Sequence, residues 1–426
     1  MATDFNRLKK YMEYLDEVHD ESDWKTRLRP KTSDLPPSVP RGDDAKSIAA
    51  RWGVLSVGQA ERGAIADADA LADADKYQHN IENFVGTVKV PVGIAGPLRV
   101  NGVFAQGDYY FPLATTEAAL VASYNRGAHV ISEAGGCSTV LANEGVGRAP
   151  GFAFETLTDA AIFVIWAMGH TKKLKYVAEK TTRHGKLIDI QFNVEGNHVY
   201  FIFDFVTSDA SGQNMATIAS EAICDYINEH SPIKPKFSFA ESNLSGDKKA
   251  TNQSFQSVRG RKVTAEAFVP RDLVKKKLHT TPEEMARYSQ FSTVASLLSG
   301  SIGTQGHYAN GLAALYMACG QDVACVAESA VGITRIEATD DGNLHLCVTL
   351  PSLMVATVGG GTGLPSQSAC LDILGLKGPG KAHVLAEVTA ALCLAGELSV
   401  AAAICSHEFV EAHRRLARGG DDKNGA

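Results

Sequence analysis

The chain has no pair of cysteines spaced as CxxC, although it carries eight cysteines in 426 residues. Cys137, Cys224, Cys319, Cys325, Cys347, Cys370, Cys393 and Cys405 are scattered, which argues against a zinc framework or a dithiol redox motif. Four of them, Cys319, Cys347, Cys393 and Cys405, lie in apolar runs and read as reduced core residues of a cytoplasmic protein. Excess positive charge is missing too. Lys and Arg total 41 against 48 Asp and Glu, a net charge of −7. That balance disfavours a nucleic-acid binder, whose affinity comes from a basic face. No apolar h-region follows the N-terminus, so no signal peptide is expected. The one membrane-like run, 388–404, has Glu397 at its middle and reads as a buried helix rather than a membrane span.

Nucleotide and metal signatures are incomplete. No GxxxxGK[ST] occurs, which removes a P-loop. Gly145-Val-Gly147 and Gly359-Gly-Gly361 both lack the third glycine of a dinucleotide fingerprint. His407-Glu-Phe-Val-Glu411 ends in Glu where a zincin motif needs His, so no metal is expected.

What is present is an ordinary globular composition, 45% apolar and 21% charged, long enough for two or three domains. Residues 1–25 read as a charged amphipathic helix, 27–44 as a Pro-rich arm, and 66–75 as a short helical surface. Between 151 and 240 the pattern is sharper. A strand at 151–157 leads into a helix at 158–182 opened by a Thr-Asp cap. Ile188, Ile190, Phe192 and Val194 alternate along a strand at 186–194. Glu195-Gly196-Asn197 turns the chain into a strand at 198–206. A helix at 211–230 and a strand at 236–240 complete a β-α-β-β-α-β order, the ferredoxin-like split unit.

Outside that unit, helices are expected at 116–133, 282–300, 306–319 and 382–416. Residues 333–358 (ITRIEA, LHLCVTL, LMVATV) suggest an antiparallel meander. The fold class is therefore α+β: a large, mostly helical domain with an inserted ferredoxin-like βαββαβ domain. The expected division is 1–50 as helix and arm, 51–150 with 241–417 as the large domain, 151–240 as the insert, and 418–426 as a tail.

Four polar spots lie in glycine-rich or apolar surroundings: Thr115-Thr116-Glu117, Gly246-Asp247-Lys248-Lys249, Gly320-Gln321-Asp322, and His413. Taken singly, each also fits a helix cap, a solvated loop, a helix end or a dipole-favoured cation. Their order and neighbours change that reading. The run Glu82-Asn-Phe-Val-Gly-Thr-Val-Lys-Val-Pro-Val-Gly-Ile-Ala-Gly-Pro-Leu98 resembles a segment of the 3-hydroxy-3-methylglutaryl-CoA (HMG-CoA) reductases. So do Ala114-Thr-Thr-Glu117, Asp209-Ala-Ser-Gly-Gln-Asn-Met215, Asp247-Lys-Lys249, Cys319-Gly-Gln-Asp322 and Thr357-Val-Gly-Gly-Gly-Thr362. The likeness spans about residues 80–416 and is nearest to the class I branch without its membrane anchor.

The resemblance implies a four-electron reduction of (S)-HMG-CoA to (R)-mevalonate and CoA with two NADPH, supplying isoprenoid precursors. It implies Glu117, Lys248, Asp322 and His413 as catalytic residues. Each role has a physical logic. A hemithioacetal oxyanion needs a nearby cation, which suits Lys248. Coenzyme A thiolate needs an acid near neutral pH, which suits His413. Reduction of the aldehyde needs a proton donor, which suits Glu117, with Asp322 bonding both Glu117 and Lys248.

By the same resemblance the ferredoxin-like unit holds NADPH through Asp209, Ser211, Gly212, Gln213, Asn214 and Met215. Arg183 meets the 2′-phosphate. Ser123, Asn125 and Arg126 touch coenzyme A, and Arg148, Asp247, Lys249 and Asn310 hold the hydroxymethylglutaryl part. A homodimer or higher homo-oligomer with shared sites is implied, with neither nucleic acid nor membrane as partner.

Three departures stand out. Glu241, in Glu241-Ser242-Asn243, occupies the place of a usual Ser; an acid there repels a carboxylate substrate unless Ser242 takes over. The cofactor loop reads DASGQNM rather than DAMGMNM, and position 325 is Cys where Gln is common. Two alternatives stay open: a same-mechanism reductase of a different 3-hydroxyacyl-CoA, or a non-catalytic acyl-CoA-binding paralogue.

Overall fold

The computed structural model describes residues 4–18, 26–30, 37–55 and 57–407. His413, the tail at 418–426 and the end of the helix expected at 382–416 lie outside them. Contacts divide the chain into two units, Met1–Thr87 and Val88–Ala426.

In the first unit, helix α1 (Phe5–Val18) buries no residue. Helix α2 (Ala45–Val54) is capped by Asp44, whose carboxylate accepts the Ser47 N–H at 2.6 Å. Its Ile48 and Trp52 pack with Phe84 in a small apolar cluster. Arg51 is buried beside them, and its guanidinium donates to the carbonyls of Pro40, Gly42 and Phe84. Those acceptors make burial of the cation tolerable. The stretch at 66–75 holds one short helix, Ala68–Ala72, and the start of a 3₁₀ turn, Ala74–Tyr77.

The second unit opens with an antiparallel pair, β1 (Val92–Gly102) and β2 (Gln106–Ala114), followed by α3 (Leu120–Glu133) and β3 (Cys137–Arg148). The three strands lie where the sequence pattern raised no expectation of strand. Glycines and prolines at 93, 96, 97, 107 and 112 interrupt their alternation. Helix α3 begins at Leu120, not 116, because Ala119 adopts a left-handed φ of 69° and forms the cap without a side-chain bond. The Thr115-Thr116-Glu117 cap expected from sequence is therefore absent, and Glu117 stands on the loop before the helix.

Strand β4 (Gly151–Ala153), α4 (Leu157–Gly169), α5 (Thr171–Glu179), β5 (Lys186–Glu195), β6 (His198–Val206), α6 (Gln213–His230) and β7 (Phe237–Phe239) follow. The strands run in the order β7-β4-β6-β5, every pair antiparallel. Counted within the unit this is 4-1-3-2, the arrangement of a ferredoxin-like sheet. Alternation drives it: Val199, Phe201, Phe203 and Phe205 all point to the buried face, against Phe152 and Phe163. Thr156 and Asp159 form a reciprocal capping box at the start of α4. The single helix expected at 158–182 is two. His170 leaves helical geometry (φ −110°, ψ 9°), its ring stacked on Trp166.

The chain then adds β8 (Gly260–Val269), α7 (Pro282–Ser299), β9 (Gly303–Thr304), α8 (Tyr308–Ala318), β10 (Gly332–Ala338), β11 (Leu344–Leu353) and α9 (Ala382–Cys405). The meander is β10-β11-β8. Its third strand comes from earlier in the chain, and residues 354–358, expected to be that strand, are irregular. Strand β3 belongs to both sheets. Ser138–Gly145 pairs with β8, and Val146–Arg148 pairs with β6. A continuous strand thus joins the ferredoxin-like unit to the larger sheet.

Helix α9 is the one described helix long and apolar enough to cross a membrane, and 83% of its apolar window is buried inside the protein. It carries two carboxylates. Glu387 accepts from the backbone N–H groups of Phe104, Ala105 and Leu141. Glu397 accepts from those of Gly306 and His307 and from the Thr334 hydroxyl. Each buried charge is met by three donors, as a core helix requires.

Candidate active site

Two loops meet in a lysine–aspartate ion pair. Lys248 Nζ lies 2.9 Å from Asp322 Oδ2, and both side chains are about two-fifths exposed. Lys248 sits in left-handed backbone (φ 54°). Asp322 caps a 3₁₀ turn, its Oδ1 accepting the Ala324 N–H at 3.1 Å. One oxygen is thus spent on the backbone and the other on the lysine. The hydrogen bond that Lys248 donates to Asp322 raises the Lys248 pKa, against a smaller effect of burial. Upstream, Gly320 has φ 67°, and a Cβ there would fall 2.3 Å from the Gly361 carbonyl oxygen. Only glycine lets this loop sit against the Gly359–Gly361 turn. Gln321 clamps Ala356 with both ends of its amide, 2.7 and 3.0 Å.

Beneath Lys248 lies a buried charge cluster. Asp247 Oδ2 accepts from Arg148 at 2.7 Å and its Oδ1 accepts from Arg259. Arg259 also donates to the Gly147 carbonyl and to the buried Glu328. Burial pushes the Asp247 pKa up, but the Arg148 bond and the charges of Arg259, Arg148 and Lys248 outweigh it, so the pKa is lowered. Arg148 further donates to Thr217 Oγ1 and the Gln213 carbonyl. Lys249 Nζ donates to the Asp247 carbonyl at 2.9 Å. Among the described residues no carboxylate pairs with Lys249.

Glu241 is exposed, but its carboxylate is engaged within its own loop. Its Oε1 accepts the Asn243 N–H at 2.8 Å, both oxygens take the Ser245 hydroxyl at 3.2 Å, and Oε2 lies 3.8 Å from Arg148. Ser242 is occupied too, its hydroxyl donating to the Ala149 carbonyl at 2.7 Å. The Glu241 carboxylate is thus held by its own loop, and the Ser242 hydroxyl by the Ala149 carbonyl.

Glu117 belongs to a second group. Its N–H donates to Thr115 Oγ1, and its Oε1 accepts from Asn310 Nδ2 at 3.3 Å. Asn310 also lies 3.3 Å from His307 Nδ1, and the His307 ring stacks on Tyr124 at 4.7 Å. Burial lowers the His307 pKa to about 4, so the ring is neutral at physiological pH. Among the described residues no hydrogen bond or ion pair joins Glu117 to Asp322 or Lys248. The double contact expected of Asp322 is not made within one chain.

The other expected residues fall on two surfaces. On α3, Ser123 donates to Ser399 Oγ, Asn125 accepts from the Gly96 N–H, and Arg126 grips the Ser399 hydroxyl and carbonyl. At the start of α6, Gly212 has φ 68°, and a Cβ there would meet Thr207 Cγ2 at 2.1 Å. Gln213 Nε2 reaches Cys325 Sγ at 3.2 Å. Ser211 and Met215 are half-buried, and Asn214 and Arg183 are exposed. Met215 covers Gly185, two residues from Arg183. Asp209 turns away from this edge: it caps α9 through the Gly380 and Ala382 N–H groups. Burial opposes ionisation there, but those bonds and Arg261 lower its pKa.

Sequence reasoning missed Arg259, Glu328, Gln321, Tyr124 and His307. Gln321 stands within a noted motif and Tyr124 between the noted Ser123 and Asn125, but their partners are fixed only by tertiary packing.

This combination, a ferredoxin-like unit joined by a shared strand to a larger sheet with a lysine–aspartate pair nearby, defines a two-part α+β protein. The family model described as Hydroxymethylglutaryl-coenzyme A reductase matches residues 47–418, and the chain belongs to that family. It is 45% identical to the 3-hydroxy-3-methylglutaryl-coenzyme A reductase of Pyrococcus horikoshii over 349 residues, covering 80% of this chain and 84% of the relative. The Haloferax volcanii reductase is 44% identical over 351 residues, 81% and 86% of the two chains. Among solved structures, the class II reductase of Streptococcus pneumoniae bound to NADPH aligns with TM-score 0.61 at 21% identity, covering 82% of this chain and 97% of that one. That last likeness bears on the fold.

Proposed function

We propose that the chain reduces (S)-HMG-CoA to (R)-mevalonate and CoA with two NADPH, as a cytoplasmic homodimer or higher oligomer with shared active sites. The Lys248–Asp322 pair carries this reading. Lys248 Nζ would donate to the thioester oxygen as negative charge develops in the first reduction and to the aldehyde oxygen in the second. Asp322 keeps the ammonium protonated. His413 would protonate the departing coenzyme A thiolate. Glu117, whose Oε1 is already met by Asn310, would pass a proton to the aldehyde oxygen.

The start of α6 fits a dinucleotide. Gly212 lets the helix start pack directly on Thr207, the first turn of a helix offers N–H groups to a phosphate, and Arg183 is exposed nearby for a 2′-phosphate. NADPH supplies the hydride when bound. Asp209 would act there by anchoring the loop to α9. For the hydroxymethylglutaryl carboxylate Lys249 is the better cation, because the charge of Arg148 is already offset by Asp247 and Glu241. Asp247 would align Lys248 and Lys249, and Ser123, Asn125 and Arg126 would line the coenzyme A side.

Within one chain no described hydrogen bond or ion pair joins the Glu117–Asn310 group to the Lys248–Asp322 group, which supports completion of each site by a second copy. Mixing an inactive Glu117→Ala preparation with an inactive Lys248→Ala preparation tests this. If sites are shared in a symmetric dimer, exchange restores about a quarter of wild-type activity. No recovery after demonstrated exchange means that each chain carries a complete site.

A further inference from the structure

The two ends of the Lys248–Asp322 pair are tied to one residue, Gln213. Its carbonyl accepts from Arg148 at 3.4 Å, and Arg148 holds Asp247, the neighbour of Lys248, at 2.7 Å. Its side-chain amide donates to Cys325 Sγ at 3.2 Å, on the 3₁₀ turn capped by Asp322. Cys325 is fully buried and burial pushes its thiol pKa far up, so the sulfur is a neutral acceptor and not a nucleophile. Gln213 is also the first residue of α6, directly after Gly212. The start of that helix thus contacts the Asp322 turn directly and reaches the Asp247–Lys248 loop through Arg148. Positions 213 and 325 are two of the three departures noted in the sequence, and they touch each other.

We propose that Gln213 and Cys325 form a positioning pair that couples the cofactor loop to the Lys248–Asp322 ion pair. This rests on the reading that NADPH binds at the start of α6. A sulfur–amide contact can be kept with its partners exchanged, because thioether and thiol sulfurs both accept weakly from an amide.

The test is a double-mutant cycle in the full-length enzyme: Gln213→Met, Cys325→Gln, and both together. KM for NADPH, kcat and the melting temperature are measured for each. The expected result is that each single change raises KM for NADPH or lowers kcat by roughly three- to tenfold, and the exchange restores most of it. Losses that multiply in the double variant overturn the proposal. So does a fall in melting temperature with kcat and KM unchanged, which makes the contact merely structural. Arg183→Glu is the control for the underlying reading. If it weakens NADPH binding while the cycle shows no coupling, the pair alone is wrong. If NADPH binding ignores Arg183→Glu and all three variants, the cofactor sits elsewhere and both fail.

Discussion

Lys248 Nζ and Asp322 Oδ2 meet at 2.9 Å from two separate loops, and the carboxylate's other oxygen is held by its own turn. This places a cation whose pKa is raised chiefly by its Asp322 partner. Lys248→Ala is expected to lower kcat by several orders of magnitude, each tenfold being about 1.4 kcal/mol of barrier. Asp322→Asn removes the bond that raises the Lys248 pKa. Its alkaline loss of activity should therefore begin at lower pH than in wild type. An unmoved alkaline limb in the pH–kcat profile would separate Asp322 from Lys248 protonation.

Glu241 gives the opposite expectation from the one its sequence position suggests. Its carboxylate closes the loop on Asn243 and Ser245. Glu241→Gln should leave KM for HMG-CoA within about threefold of wild type and lower stability by about 1 kcal/mol. A sharp improvement in KM would mean that Glu241 does face the substrate, and would favour a different acyl-CoA.

Legibility followed the pattern of side chains. The strand at 186–194 reads directly from the alternation of Ile188, Ile190, Phe192 and Val194. Yet Ile188, Phe192 and Val194 are exposed on β5, and the buried face belongs to Val199, Phe201, Phe203 and Phe205 of β6. Strands β1 and β2 are interrupted by Gly and Pro, and burial alternates only over short stretches such as Leu98–Gly102 of β1 and Cys137–Val140 of β3. The start of α3 was misplaced because a left-handed Ala119 has no sequence signature. Glu117, Lys248 and Asp322 were visible only as motifs. Which of them touch, and the buried Arg148–Asp247–Arg259–Glu328 cluster beneath, depends on loops that come together in space.

Asp204 supplies a test of the ferredoxin-like sheet. It stands opposite Asp189 in register, and burial, aided by the Asp189 charge, raises its pKa to about 6. The folded state thus prefers the protonated form. Its contribution is fully present below the unfolded value near 4 and is lost as pH rises through 6. Asp204→Asn should stabilise the protein by about 1–2 kcal/mol at pH 8 and by nothing at pH 4. Equal melting shifts at both pH values would remove the titration from the explanation.

His413→Gln separates the two halves of the reaction. Reduction of HMG-CoA should fall by two or more orders of magnitude, since a positioned acid contributes about 10²–10⁴-fold. Reduction of free mevaldehyde, which releases no thiolate, should persist. Equal losses on both substrates would assign His413 another task.

The central claim is a four-electron reduction of HMG-CoA at the expense of NADPH. It is tested most directly by following nicotinamide absorbance and free thiol together in one reaction of purified protein, HMG-CoA and NADPH. Two NADPH consumed for each coenzyme A released is the expected result. One NADPH per thiol, or no oxidation by folded protein, would contradict it.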